Sequence, residues 1–278
     1  MCGILSLKNA VKLPQINVYG EFMQVKEYVQ DKLVCKVFSD RDSMGQCAAK
    51  MIGQKMRELL AQQDEINMVF AAAPSQNDVL RYLILEDVDW TRVTAFHMDE
   101  YVGLQEGSEK TFRHYLDVSL FSKVKMKAVY YIGSSPNTEG LCKRYEELLR
   151  DHPIDIVCLG IGENGHIAFN DPDVADFLDK KVIKLVCLDE RCRKQQVNDK
   201  TFDTLEDVPK YAITLTIPTL ISAKYMYCVV PTVNKAEAVY RTMNDPVDHS
   251  VPATILRTHP HAIMFTDPDS AKLLMQAQ

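Results

Sequence analysis

The 278-residue chain has no CxxC pair, no internal repeat, no low-complexity tract and no proline-rich linker. Cys187 and Cys192 are five apart with no histidine placed to complete a zinc set, so no metal is expected. No apolar run approaches the roughly 18 residues of a membrane-spanning helix. The first 14 residues hold an apolar patch without a basic start, a long hydrophobic core and a cleavage site, which argues against a secretory signal. Basic charge is not in excess: 32 basic against 38 acidic residues give a formal net charge of −6, a poor footprint for nucleic acid. A small anion is not excluded, because one lysine and a nest of amides bind phosphate locally. These absences describe a soluble, cytoplasmic protein with no nucleic-acid or membrane partner.

What is present is an alternation of strand-like and helix-like runs. Strands are expected at 33–38, 67–73, 93–96, 128–132, 154–159 and 262–266, with further strand-like runs at 182–188, 212–216 and 225–230. Helical patterns follow cap residues at Ser39–Asp42 and recur from Val79, at 111–120, 138–150, 217–222 and 235–243. Strands alternating with helices make βαβ units, hence an α/β fold with a mainly parallel sheet and helices on both faces. One domain over 1–278, with an N-terminal extension to about residue 30, is the simplest account. Most of the eight cysteines fall in these strands and helices, which predicts buried free thiols in a reducing compartment. The segment 173–194 is a candidate flap.

The most informative stretch is Gly160 to Pro172, a glycine-spaced turn directly after an apolar strand. Such a turn exposes chemistry at the carboxyl edge of an open sheet. Within it His166 is a candidate acid or base, Asn164 or Asp171 could fix its tautomer, and Gly162 lets a ligand approach. Asp99 and Glu100 leave the strand at 93–96 in what reads as a loop. A partly desolvated carboxylate there could take a proton from a carbon beside a carbonyl. The turn holding Ala72, Ala73, Ser75 and Gln76 offers amides and side-chain donors to an anion, though alanines make it stiffer than a glycine loop. Lys235 opens a helix, where a cation opposes the dipole unless an anion is present. Each has a plainer alternative: a solvated acidic loop, a structural histidine, a capped helix start, an exposed lysine.

Together these stretches resemble the glucosamine-6-phosphate deaminase family, within the group that includes 6-phosphogluconolactonases. The resemblance is carried by Met98-Asp99-Glu100-Tyr101-Val102-Gly103, by Gly160 to Pro172, by Val208 to Thr214, by Asn234-Lys235-Ala236 and by His259 to Met264. It implies a modified Rossmann-like three-layer fold and a cofactor-free conversion of an amino sugar phosphate to a ketose phosphate and ammonia. Asp99 would shuttle the C1–C2 proton, His166 would open the ring with Asn164 and Asp171 beside it, and Lys235 would hold phosphate. The chain departs from the family at Asn164, at Asp171 in place of glutamate, and at Ala71-Ala72-Ala73 in place of a glycine-rich phosphate loop. A phosphate-binding arginine is matched by Gln196, with Arg191 and Arg193 nearby. A related isomerase or lactonase with another substrate and a non-catalytic sugar-phosphate-binding regulator stay open as alternatives, as does a homo-oligomer.

Overall fold

Uninterrupted apolar strands need cover on both faces, and helices placed between them supply it. The computed structural model describes residues 24–105, 107–133 and 135–277. Strands β1 (Gln24–Gln30) and β2 (Leu33–Phe38) form a hairpin that enters α1 (Arg41–Leu60). Asp40 caps α1 by accepting the Ser43 N–H at 2.8 Å. Next come β3 (Ile66–Phe70), α2 (Asn77–Leu83), β4 (Val93–His97), β5 (Asp99–Val102) and α3 (Phe112–Leu116), which continues as a π turn. They are followed by β6 (Ala128–Tyr130), α4 (Thr138–Asp151), β7 (Ile156–Leu159), β8 (Ile183–Cys187) and α5 (Glu190–Asn198). Last are β9 (Tyr211–Leu215), α6 (Ile217–Ile221), β10 (Tyr225–Val230), α7 (Ala236–Asn244), β11 (Ala262–Thr266) and α8 (Lys272–Gln276).

The large sheet has the order β1-β2-β11-β10-β7-β3-β4-β6, parallel throughout except for β1 against β2. Side chains alternate between its faces, so each central strand feeds two cores. Met68, Phe70, Ile156, Cys158, Tyr227 and Val229 pack with α1 and α2. Val69, Val157, Leu159, Met226 and Cys228 pack with α4, α6 and α7. This is the expected three-layer α/β arrangement.

Several expectations are corrected. Asp99 and Glu100 lie in a strand and not a loop: β5 pairs with β9, and β9 with β8, in a separate antiparallel sheet. The runs at 182–188 and 212–216 therefore build this small sheet and leave the large one. The strand expected over 67–73 ends at Phe70, which frees Ala71 to Ala73 as a turn. The candidate flap at 173–194 resolves into turns, β8 and the first half of α5. Of the expected N-terminal extension, residues 1–23 lie outside the described residues and Gln24–Gln30 form β1. The described cysteines are free, most of them buried, although Cys187 at the end of β8 is exposed. Among the described residues no helix is long and apolar enough to cross a membrane.

One buried carboxylate ties the strand starts opposite the cleft. Asp155 accepts the Asn67 N–H at 2.8 Å and the Gln63 amide at 3.1 Å, and lies 2.8 Å from Lys224 Nζ. Asp155→Ala would strand the Asn67 N–H in a site that is nearly sealed. We expect it to lower unfolding free energy by about 2 kcal/mol in urea titration. An unchanged midpoint would show that the carboxylate is not holding β3 to β7.

Candidate active site

The turns after β3, β7 and β10 are neighbours because those strands are neighbours, and together they form one wall of a cleft. The first turn begins with the Ala71 N–H bonded to Cys158 O at 2.9 Å, and a 3₁₀ turn over Pro74–Gln76 then leads into α2. Ala72, Ala73, Ser75 and Gln76 all line the cleft. The Gln76 amide, however, is spent on Val229 O at 3.2 Å and Ser75 Oγ at 3.1 Å. Gln76 thus braces the end of β10 across the turn.

The second turn carries His166. Gly162 donates its N–H to His166 O at 2.9 Å, and the imidazole lies flat against it. A Cβ on Gly162 would sit 2.3 Å from His166 Cε1, so only glycine leaves room for this ring. Gly165 turns the chain at φ 83°, a conformation glycine reaches without strain. His166 Nδ1 lies 2.9 Å from Asp171 Oδ1, close enough for an ion pair but off the in-line direction of a hydrogen bond. Asn164 organises the pair: its Oδ1 accepts the His166 N–H at 3.0 Å, and its Nδ2 donates to Asp171 at 3.0 Å and to Asp189 at 3.1 Å. Burial raises the Asp171 pKa, but His166 and Asn164 outweigh it and hold the carboxyl below its ordinary range. The following residue pair bends sharply, with Ala168 at φ 49°. The Phe169 N–H on Thr214 Oγ1 and the Asn170 amide on Leu215 O hold that bend.

Asp99 faces the same cleft from β5, and strand alternation sends its neighbour the other way. Glu100 accepts three backbone N–H groups, from Tyr101 at 2.9 Å, Phe112 at 3.1 Å and Arg113 at 3.0 Å. It caps α3 outside the cleft, which corrects its place among the candidate catalytic residues. Asp99 has no comparable support. Burial, and then the nearby Glu100 charge, push its pKa well above the ordinary carboxylate range.

Lys235 ends the third turn and lines the cleft, 5% exposed. Burial lowers its pKa, while Asp199 and Glu163 act to raise it. The facing wall is α5, which brings Gln195, Gln196 and Asp199. Sequence reasoning placed Gln196 only by resemblance and missed Gln195 and Asp199, whose i, i+4 spacing on one helical face was the available signal. Gln195 Oε1 accepts the Glu163 N–H at 2.9 Å, and Gln196 Oε1 accepts the Tyr101 hydroxyl at 2.6 Å. Arg191 and Arg193 point elsewhere, onto Glu163 O and onto Val208 O.

The fold also brings Cys192 to a histidine that sequence spacing could not reveal. Donor atoms of His166, Asp171 and Cys192 lie within 4.8 Å of one another. Burial and the acids Asp171 and Asp189 push the thiol pKa well above its usual range. At neutral pH it is a protonated donor to Asp171 and not a thiolate ready for a metal.

Fold and cleft together define a Rossmann-like α/β protein with an acid and a histidine at the carboxyl edge of its sheet. Residues 39–264 match the family described as glucosamine-6-phosphate isomerases/6-phosphogluconolactonase, and the chain belongs to that family. It is 37% identical over 212 residues to a glucosamine-6-phosphate deaminase of Listeria welshimeri, covering 76% of this chain and 88% of the relative. A glucosamine-6-phosphate deaminase of Shouchella clausii is 33% identical over 243 residues, with 84% and 95% covered. Among solved structures, a monomeric glucosamine-6-phosphate deaminase superposes with a TM-score of 0.77 at 26% identity, over 86% of this chain and 99% of that one. The 6-phosphogluconolactonase of Thermotoga maritima shares the fold at a TM-score of 0.70 and 22% identity, over 85% and 100% of the two chains.

The state of Asp99 has a measurable consequence for stability. Its pKa is raised on folding, so its contribution is full below the unfolded value of about 3.9 and is lost as pH rises through the folded value. Asp99→Asn should therefore raise the melting temperature at pH 8 and leave it nearly unchanged at pH 4. A stabilisation independent of pH would contradict a strained, buried carboxyl at this position.

Proposed function

We propose that this chain is an amino sugar phosphate deaminase and isomerase, converting glucosamine 6-phosphate and water to fructose 6-phosphate and ammonia. The observation that carries the proposal is the opening of Asp99 and His166 into one cleft, with Lys235 in its lining and Asp171 and Asn164 beside the histidine. The 33–37% identical relatives bearing the name glucosamine-6-phosphate deaminase support it.

In this scheme His166 Nε2 takes the proton of the C1 hydroxyl and passes it to the ring oxygen, which opens the pyranose. Asp171 stays charged beside Nδ1, which favours the proton on that nitrogen and directs Nε2 to the substrate. Asp99 then takes the proton from C2 and returns one to C1, passing through an enolamine. A carboxyl with a raised pKa suits both halves of that transfer, since it holds the C2 proton more firmly than an ordinary carboxylate before returning it to C1. Water adds to the resulting imine and ammonia leaves. Lys235, with the amino ends of α2 and α7 that open from the first and third turns, holds the phosphate. We place the protein in the cytoplasm, a reading supported by its free, mostly buried thiols.

Purified protein offered glucosamine 6-phosphate, galactosamine 6-phosphate, the unphosphorylated amino sugars and 6-phosphogluconolactone should release ammonia from at least one amino sugar. Failure with every amino sugar at high enzyme concentration would sink the proposal. Asp99→Asn should lose solvent exchange of the C2 hydrogen by about 100-fold or more while ligand binding survives. Wild-type exchange in that variant would reject Asp99 as the base. Lys235→Ala should weaken binding of glucosamine 6-phosphate far more than of glucosamine, and equal losses for the two sugars would remove its phosphate role.

A further inference from the structure

Two cationic side chains line the cleft, Arg41 and Lys235. Arg41 is committed elsewhere, with Nε on the Asp78 carboxylate and Nη2 on Pro74 O at 3.0 Å. Lys235 is left as the available cation, and among the described residues no carboxylate lies within 4.0 Å of it. Across from it stands Asp199 on the end of α5, its Oδ2 accepting Gln195 Nε2 at 3.3 Å. Burial raises the Asp199 pKa and lowers that of Lys235, and each is the charge that most strongly opposes the other's shift. Glu163 and His166, from the turn after β7, are the other titratable groups that reach Asp199.

The charge balance at this end of the cleft is unusual for a phosphate site. A phosphate monoester carries about −1.5 to −2 at pH 7. One lysine that shares its field with a carboxylate offsets less of that charge than it would alone, and the two glutamines of α5 add no charge. An uncharged hydroxyl is a better match, because it can accept from Lys235 and donate to Asp199 at once. Gln196, whose Oε1 already holds the Tyr101 hydroxyl, keeps its amide donors for the same ligand.

We propose that Asp199 is a specificity-determining residue: it weakens the hold on a dianionic tail and admits amino sugars with an uncharged tail hydroxyl alongside their 6-phosphates. The inference rests on the deaminase function proposed above and names its substrate class.

The test compares ammonia release from glucosamine 6-phosphate and glucosamine by the full chain and by Asp199→Asn, read as the ratio of kcat/KM for the two sugars. Wild-type protein should act on both. Removing one charge beside a dianion should raise the ratio in favour of the phosphorylated sugar by about tenfold or more. Asp199→Ser should move it in the same direction, so that a folding defect in one variant does not decide the matter. An unchanged or lowered ratio overturns the inference, as does wild-type activity confined to the phosphorylated sugar. Silence of the wild type on both sugars would remove the deaminase function instead. Asp199 is then judged by calorimetric titration with inorganic phosphate, where tighter binding in Asp199→Asn supports its role and equal affinity rejects it.

Discussion

Met98 is the one residue on which the chain crosses from the large sheet to the small one, and the site depends on how tightly that crossing is held. β4 ends at His97, whose N–H and carbonyl are both bonded to the Tyr145 hydroxyl, at 3.0 and 2.8 Å. The His97 ring accepts the Ile132 N–H at 2.9 Å, and burial keeps it neutral by lowering its pKa to about 3. On the far side, Met98 O accepts the Leu215 N–H at 2.8 Å, locking β5 to β9. The backbone at Asp99 is therefore fixed on both sides, which sets its place on the cleft wall. Burial there, and then the Glu100 charge, raise the proton affinity of its carboxyl.

The same crossing separates the acidic pair. A loop would have let Asp99 and Glu100 share a surface, each damping the other through solvent. A strand puts them on opposite faces, where Glu100 finds three N–H donors and Asp99 finds the cleft. Neighbours in sequence thus acquire unrelated jobs. One stabilises a helix start, while the other lines the cleft with its proton affinity raised.

Much of the large sheet was legible because parallel strands buried on both faces leave continuous apolar runs, as in Val69 to Phe70 and Ile156 to Leu159. The small sheet was less legible. β5 is four residues long and begins with two acids, and β9 and β8, which complete its sheet, come from runs that read equally well as members of the large sheet. Helix α5 was hidden for a different reason. Its buried face is Cys192, Gln195 and Gln196, so the helical period is written in amides and not in leucines. His166, Asn164, Asp171 and Asp99 were found because glycine spacing and strand ends mark such places. Asp199 carried only its i, i+4 spacing from Gln195, and the packing of α5 over the turn after β7 brings it into the cleft.

That helix also explains why residue 164 is an amide here. Asn164 Nδ2 stands between two carboxylates, those of Asp171 and Asp189, and Asp189 is the cap of α5, accepting the Cys192 N–H. An aspartate at 164 would place a third negative charge among these two in a nearly water-free pocket. Either one acid would take up a proton or the cap would be pushed away. The amide avoids both, because it donates to each carboxylate while its oxygen holds the His166 backbone. The shorter Asp171 is accommodated in the same way. It still reaches to 2.9 Å from the imidazole, with the Asn164 amide and the Cys192 thiol supporting it from behind. Residues 164, 171, 189 and 192 thus form one hydrogen-bonded unit, and an aspartate at 164 would alter the charge that the remaining three must balance.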